Sequence, residues 1–266
     1  MKLTNIFLVL SLVFVYSCSN VPLTGRKQFT AIPTSQMLAL SADSYKQVID
    51  DNTLSNNTSY IDMVNGVGTK MIKAVEKYLA MNQLESRIEG FDWQFNVLQS
   101  EELNAWCMPG GQIAFYEGIM PVCMDETGVA IVMGHEIAHA VAKHGNERMS
   151  QQLLINMGGI ALSEALKTKK EETQQLALLA FGVGSQVGVS LPYSRMHETE
   201  ADELGLYFMA MAGYNPEMAP AFWERMEAAG GTRPPEFLST HPDPSNRIAK
   251  LNEIMPKALE YYQNSK

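Results

Sequence analysis

The stretch Gly134-His135-Glu136-Ile137-Ala138-His139 lies inside an apolar, proline-free run from Gly128 to Ala142. Helical spacing sets His135 and His139 one turn apart on one face. Two imidazoles so placed can share a zinc ion, and Glu136 beside them can hold a water against it. Val129, Ala130, Ile131, Val132, Met133, Ile137, Ala138, Ala140 and Val141 surround the helix on nearly every side. A helix apolar all round is a buried helix. A carboxylate buried between two histidines needs a partner, and a cation provides one. The same short pattern occurs by chance in proteins without metal, so a third ligand has to decide.

The segment from Ser194 to Gly213 is the place to look for it. Ala201, Leu204, Gly205, Phe208 and Met209 form the apolar face of a helix there. Glu198 and Asp202 point the same way as that face, whereas Glu200, Glu203 and Tyr207 point elsewhere, to water. One cation accounts for both sets of buried polar groups. Glu198 would ligate it, and Asp202 would orient a ligand histidine through its free ring nitrogen. The alternative is a pair of carboxylates favoured by the dipole at a helix start. A structural zinc site would be closed, usually by cysteines, and none are placed for that.

The acidic balance, 29 Asp and Glu against 20 Lys and Arg, comes without basic clusters and excludes a nucleic-acid binder. Met1-Lys2 followed by an apolar core from Ile6 to Tyr16 reads as a secretory signal. Val15-Tyr16-Ser17-Cys18 resembles a bacterial lipobox, which implies cleavage before Cys18 and lipidation of its sulfur. The other reading is an ordinary signal peptide with an incidental cysteine. No later segment reaches the roughly 18 apolar residues of a spanning helix. The expected division is a signal peptide over 1–17, a lipid-anchored tether over 18–34 and one folded domain over 35–266. Such a compartment permits disulfides, and Cys107 and Cys123 are the candidates for one closing a small loop.

Ser35 to Asp50 and Tyr60 to Asn82 read as amphipathic helices, and Phe91 to Leu98 alternates as a half-buried strand. Gln112 to Tyr116 is a second short strand after the turn at Pro109-Gly110-Gly111, which suggests a small antiparallel sheet. Asp125 caps the histidine helix, which continues through Lys143 and His144. Leu153 to Leu166 and Thr173 to Val189 form a glycine-rich helical hairpin with a charged tip. It is a cover over the site, a surface that meets membrane or substrate, or a pair of buried helices. Ser245 starts a final helix that Pro256 kinks or ends.

With these residues assembled, the chain resembles the zinc metallopeptidase family of the CAAX prenyl protease, HtpX, the mitochondrial Oma protease and the bacterial BepA and LoiP lipoproteins. Four features carry the likeness: Asn104-Ala105-Trp106-Cys107-Met108-Pro109-Gly110-Gly111, His135-Glu136-x-x-His139, Glu198-x-x-Ala201-Asp202, and Ser239-Thr240-His241-Pro242 with Arg247. Pro22-Leu23-Thr24-Gly25-Arg26 adds to it. The resemblance implies an α+β, mainly helical, gluzincin-type metallopeptidase domain with the small antiparallel sheet beside the HExxH helix. It implies one Zn2+ held by His135, His139 and Glu198, with Glu136 as general base and Asp202 behind the ligands. Arg247 would steady the oxyanion. His241 would either swing onto the zinc as a fourth ligand or hydrogen-bond the tetrahedral intermediate. Gln112, Ile113, Ala114 and Phe115 would pair with extended substrate. The nearest likeness is to the BepA and LoiP lipoproteins. It implies hydrolysis of misfolded or unassembled cell-envelope proteins at a periplasm-facing membrane, the outer one by the Ser19 sorting rule, beside the outer-membrane assembly machinery. Two other classes remain open: a chaperone-like lipoprotein that holds unfolded outer-membrane proteins, and a structural zinc scaffold.

Overall fold

The computed structural model describes residues 18–230, 235–241 and 246–265. Residues 1–17, where a signal peptide is expected, 231–234, 242–245 and Lys266 lie outside the described residues.

Strands β1 (Cys18–Asn20) and β2 (Lys27–Phe29) form an antiparallel hairpin. Residues 18–29 of the stretch expected as a lipid-anchored tether, 18–34, thus fold as this hairpin. Leu23 and Gly25 take positive φ of 70° and 63° and turn the chain back, and Val21 N–H donates to Arg26 O at 2.8 Å. Val21 and Gln28 are buried. The Gln28 side-chain amide donates to Ala142 O at 2.8 Å, which ties the hairpin to the end of the histidine helix.

Helix α1 (Thr34–Asp51) follows, then α2 (Thr58–Met81), capped by Asn57, whose side chain accepts from Tyr60 N–H. The α2 face of Val64, Val67, Met71, Val75, Tyr78 and Leu79 is fully buried at helical intervals. Strands β3 (Gln94–Leu98), β4 (Ala105–Cys107) and β5 (Gln112–Tyr116) make a three-stranded sheet in the order β3-β5-β4. It is mixed rather than antiparallel: β5 runs parallel to β3 and antiparallel to β4. The turn at Gly111, φ 87°, folds β5 back onto β4, so β3 takes the other side of β5, in the same direction.

After α3 (Met120–Cys123), Asp125 caps α4 (Glu126–Val141) by accepting from the Thr127 and Gly128 amides. Every α4 residue from Gly128 to Val141 is buried, as its all-round apolar sequence requires. The helix does not continue into His144. Lys143 adopts the left-handed conformation, φ 59°, and α5 (His144–Leu166) starts in a new direction. Helix α6 (Glu171–Ser185) returns against α5 and runs through a π turn at Gln186–Ser190 into α7 (Leu191–Met211). Helices α8 (Met218–Ala229), α9 (Glu236–Thr240) and α10 (Arg247–Gln263) complete the described fold, and α10 passes through Pro256 without ending.

The central contact is α4 against α7. A Cβ on Gly134 would lie 2.7 Å from Gly205 O, and one on Gly205 would lie 2.7 Å from His135 N. The two backbones touch at this crossing, which only glycine at both positions permits. The α5–α6 hairpin is the opposite case. Phe181 packs over Gly158, but Leu153, Leu154, Met157, Ile160, Leu176, Leu179, Val183 and Val187 are exposed, so these are not buried core helices. The continuous helix from Glu171 to Met211 is long and apolar enough, by length and composition, to cross a membrane, which corrects the expectation that no segment after the leader is. The π turn joins two segments that read separately in sequence.

Candidate active site

The glycine crossing sets one turn of α4 against the first half of α7. His135 and His139 come from α4, Glu198 and Asp202 from α7, and His241 from the end of α9. All five are buried. His135 Nε2 lies 3.1 Å from His139 Nε2 and 3.2 Å from Glu198 Oε2. Glu198 Oε1 lies 3.4 Å from His139 Nε2 and 3.3 Å from His241 Nδ1, and His241 Nδ1 is 3.4 Å from His135 Nε2. Four ligands at ~2.0–2.1 Å from one tetrahedral ion stand about 3.3 Å from each other. The donor set therefore has the composition and spacing of a tetrahedral metal site.

Glu136 supplies a second test of fit. Its Oε2 accepts the Cys107 N–H at 3.2 Å, while buried Oε1 accepts no hydrogen bond among the described residues and has His241 Nε2 at 3.4 Å. A bare carboxylate oxygen in a buried site wants a proton, a water or a cation. Burial raises the Glu136 pKa above the ordinary carboxylate range, against the opposing effects of His241 and His135. Burial also opposes charge on His135, but its hydrogen bonds to Asp202 and Glu198 outweigh that and raise it to about 9. His139 goes the other way, held well below its usual value by burial.

Asp202 Oδ1 is 3.0 Å from His135 Nδ1, and its Oδ2 accepts from Arg247 Nε at 2.8 Å. Arg247 Nη2 also donates to Glu198 Oε2 at 3.3 Å, and its guanidinium lies 4.3 Å from the Trp223 ring centre. Arg247 thus stands behind the ligand carboxylates and is not among the residues lining the cleft. That placement makes it a clamp on Glu198 and Asp202 rather than a group facing an oxyanion.

The cleft has a volume of about 490 Å³. Glu136, His139 and His241 line its inner end, and Asn104, Ala105, Trp106, Cys107, Met108 and Pro109 form one wall. The expected substrate strand is corrected here. Gln112, Ile113, Ala114 and Phe115 belong to central β5, which is buried and bonded to a neighbour on each side. A strand with both edges paired has no backbone groups left for a peptide. Edge strand β4 is the one that meets the cleft.

The disulfide is also corrected. Cys107 and Cys123 are free thiols. Cys107 sits in the cleft wall with its Sγ 3.4 Å from Met108 O, whereas Cys123 is buried at the end of α3 in the core. Burial pushes the Cys123 thiol up to about 12 and holds Cys107 well above the usual range.

Two residues the sequence reading missed stand next to the ligands. His144 Nδ1 is 2.9 Å from His139 Nδ1, and Glu200, expected to face water, is buried with Oε2 at 2.9 Å from His144 Nε2. The left-handed turn at Lys143 swings His144 back over His139. The sequence holds one hint of this, a third histidine soon after the HExxH pair.

Two histidines one turn apart, a glutamate from a second helix and a bare carboxylate at a cleft define a metallopeptidase centre on a mainly helical α+β fold. The chain belongs to peptidase family M48, whose profile matches residues 69–255. It is similar to the mitochondrial metalloendopeptidase OMA1 of Schizosaccharomyces pombe, 32% identical over 90% of this chain and 66% of that protein. Against OMA1 of Saccharomyces cerevisiae the identity is 28% over 96% of this chain and 74% of the relative. The β-barrel assembly-enhancing protease of Escherichia coli is 23% identical over 93% of this chain and 50% of the relative. The chain thus spans between half and three quarters of the length of these relatives.

These findings overturn the expected localisation at a bacterial outer membrane, because the relatives with the higher identities are mitochondrial proteins. The expected nearness to bacterial lipoproteins falls with it, and lipid attachment at Cys18 loses its support. A basic start, an apolar core and a cysteine make a short pattern that is not specific to one compartment.

Proposed function

We propose that the protein is a zinc-dependent endopeptidase acting on extended segments of misfolded or unassembled membrane-associated proteins. The observation that carries the reading is the bare Glu136 oxygen beside a tetrahedral donor set at the inner end of a cleft. His135, His139 and Glu198 would hold the zinc. When bound, it supplies a Lewis acid for a water and a peptide carbonyl.

The chain's own groups do the rest. The outer edge of β4 offers the backbone carbonyls of Ala105 and Cys107 to an extended peptide, as sheet edges do in peptide recognition, while their N–H groups are taken by Asn104 Oδ1 and Glu136 Oε2. Glu136, anchored through Oε2 to that same strand, has Oε1 available to take a proton from water and deliver it to the leaving amine. Asp202 and Arg247 hold His135 and Glu198 in place. His241 Nδ1 stands at the fourth corner of the donor set, so the geometry described is a closed one, and hydrolysis requires His241 to leave that corner. The exposed apolar α5–α6 hairpin starts at the cleft rim, where Gly145, Asn146, Arg148 and Met149 line it, and offers unfolded chains a surface of matching chemistry.

The test is cleavage of a labelled unfolded protein by the zinc-loaded full chain, with Glu136→Gln and His241→Ala alongside. Glu136→Gln should lose roughly 10²–10⁴-fold in rate while still binding the metal. His241→Ala should cut faster than the parent. Equal cleavage by the parent and Glu136→Gln would remove the general base from the reading. Binding without cleavage in all three would favour a holding role instead.

A further inference from the structure

Arg26 lies outside the span matched by the family profile, 69–255, yet a buried network runs from it to a ligand of the metal site. Its Nη1 and Nη2 donate to Glu147 Oε1 and Oε2, each at 2.8 Å. Its Nε and Nη2 donate to Glu200 Oε1 and Oε2 at 2.9 and 3.0 Å. Thr24, on the same turn, donates to Glu200 Oε1 at 2.9 Å. Glu200 Oε2 then meets His144 Nε2 at 2.9 Å, and His144 Nδ1 meets His139 Nδ1 at 2.9 Å. His144 is 0% exposed, Glu147 1% and Glu200 4%, so water does not substitute for these partners.

The contacts have one consistent direction. An ionised carboxylate only accepts, so Glu200 places a hydrogen on His144 Nε2. An uncharged imidazole carries one ring hydrogen, which leaves His144 Nδ1 as an acceptor. His139 Nδ1 must then donate to it, and His139 Nε2 is left bare. Nε2 is the atom that faces His135 and Glu198. Arg26 fixes the far end of this chain, because it is the cation on which the carboxylates Glu147 and Glu200 converge. The second ligand histidine is held by a like arrangement, His135 to Asp202 to Arg247.

We propose that Arg26 is a positioning residue for the metal site: through Glu200 and His144, the N-terminal hairpin sets the tautomer of His139 and presents its Nε2 to the metal. The inference rests on the metal-centre reading for its consequence and on hydrogen-bond geometry for its mechanism. The hairpin becomes part of the catalytic centre, and displacing it would weaken metal binding without touching a ligand.

The experiment uses the full chain, with Arg26→Met, Arg26→Lys and, as a control on the same hairpin, Lys27→Ala, whose side chain is exposed. Long-range imidazole proton–nitrogen NMR on the metal-free protein reads the tautomer of His139. The parent and Lys27→Ala should show the Nδ1–H form, and Arg26→Met a mixture. Zinc affinity, by competition with a fluorescent chelator, should fall about 10–100-fold in Arg26→Met, as for other outer contacts of metal ligands. Lys27→Ala should match the parent. Arg26→Lys keeps the charge and loses the fork, so it should fall in between, and it carries the test should the methionine variant not fold. The proposal is overturned if Arg26→Met, or Arg26→Lys in its place, unfolds earlier yet keeps the parent's tautomer and zinc affinity, for Arg26 would then be a structural tie only. A parent chain that binds no zinc but shows the tautomer change would sink the peptidase reading and leave the positioning role standing.

Discussion

Glu136, Asp202 and the two cysteines show what single residues contribute. Asp202 touches His135 and Arg247 and nothing that reacts, so Asp202→Asn should keep the fold and weaken zinc binding about 10–100-fold, read by chelator competition. The cysteines are separate free thiols with raised pKa values, Cys107 half-buried in the cleft wall and Cys123 buried in the core, so at pH 8 both carry little thiolate. An alkylating reagent should leave Cys123 unmodified until the chain is denatured, and a reductant should not move the unfolding transition. Fast labelling of Cys123 in the native chain would contradict its buried placement, and a reductant-sensitive transition would contradict two free thiols. At this scale the metal set was legible. His135 and His139 were fixed by one helical turn, and Glu198 and Asp202 by their place on an apolar face. Glu200 was not, because two residues on from Glu198 is the wrong side of a helix for the metal; what buries it is Arg26 from a distant segment. His144 depends on one left-handed residue, Lys143, that helical periodicity does not mark.

Elements carry the next set of consequences. The α4–α7 crossing has no room for a side chain at Gly205, so Gly205→Ala should destabilise the fold by about 1–3 kcal/mol, the range for overpacking, measured by urea unfolding. Zinc affinity should drop with it, because the same crossing aligns the histidines with Glu198. The β1–β2 hairpin should show a pH dependence of its own. Burial favours protonated Glu147, but hydrogen bonds from Arg26 and His197 outweigh it and lower its pKa to about 2. A carboxylate with a depressed folded-state pKa stabilises the fold fully above its unfolded value, near 4.5, and the stabilisation is lost as pH falls towards 2. Amide exchange in β1 and β2 should therefore rise between about pH 4.5 and 2, and Glu147→Gln should flatten that rise. Two of the three strands were legible, β3 by its alternation and β5 as a short strand after the glycine turn, whereas β4, the strand order and the parallel β3–β5 pairing leave no mark in periodicity. Placing β5 at the edge was the result, and the buried run Gln112 to Phe115 is what a central strand requires.

On the scale of the whole molecule, a packed core around α4 and α7 carries an apolar hairpin that the described fold does not cover. Leu176→Gln and Val183→Gln replace side chains 68% and 57% exposed, so each should change stability by less than about 0.5 kcal/mol. Binding of a hydrophobic dye to the native chain should fall in both. A large loss of stability would mean that the hairpin is packed more tightly than its exposure shows. The helical class and the existence of this hairpin were readable from long periodic segments and a charged tip. Its exposure was not, since an apolar run reads the same whether protein covers it or not. The central claim is that one metal ion, held by His135, His139 and Glu198, makes this fold a hydrolase. The most direct measurement is a zinc titration of the metal-free full chain, following bound zinc and cleavage of an unfolded protein in the same samples. Cleavage should rise in step with the first bound equivalent, and Glu136→Gln should bind that equivalent without cutting. Cleavage by the metal-free chain, or zinc binding unchanged when His135 and His139 are both replaced by alanine, would contradict the claim.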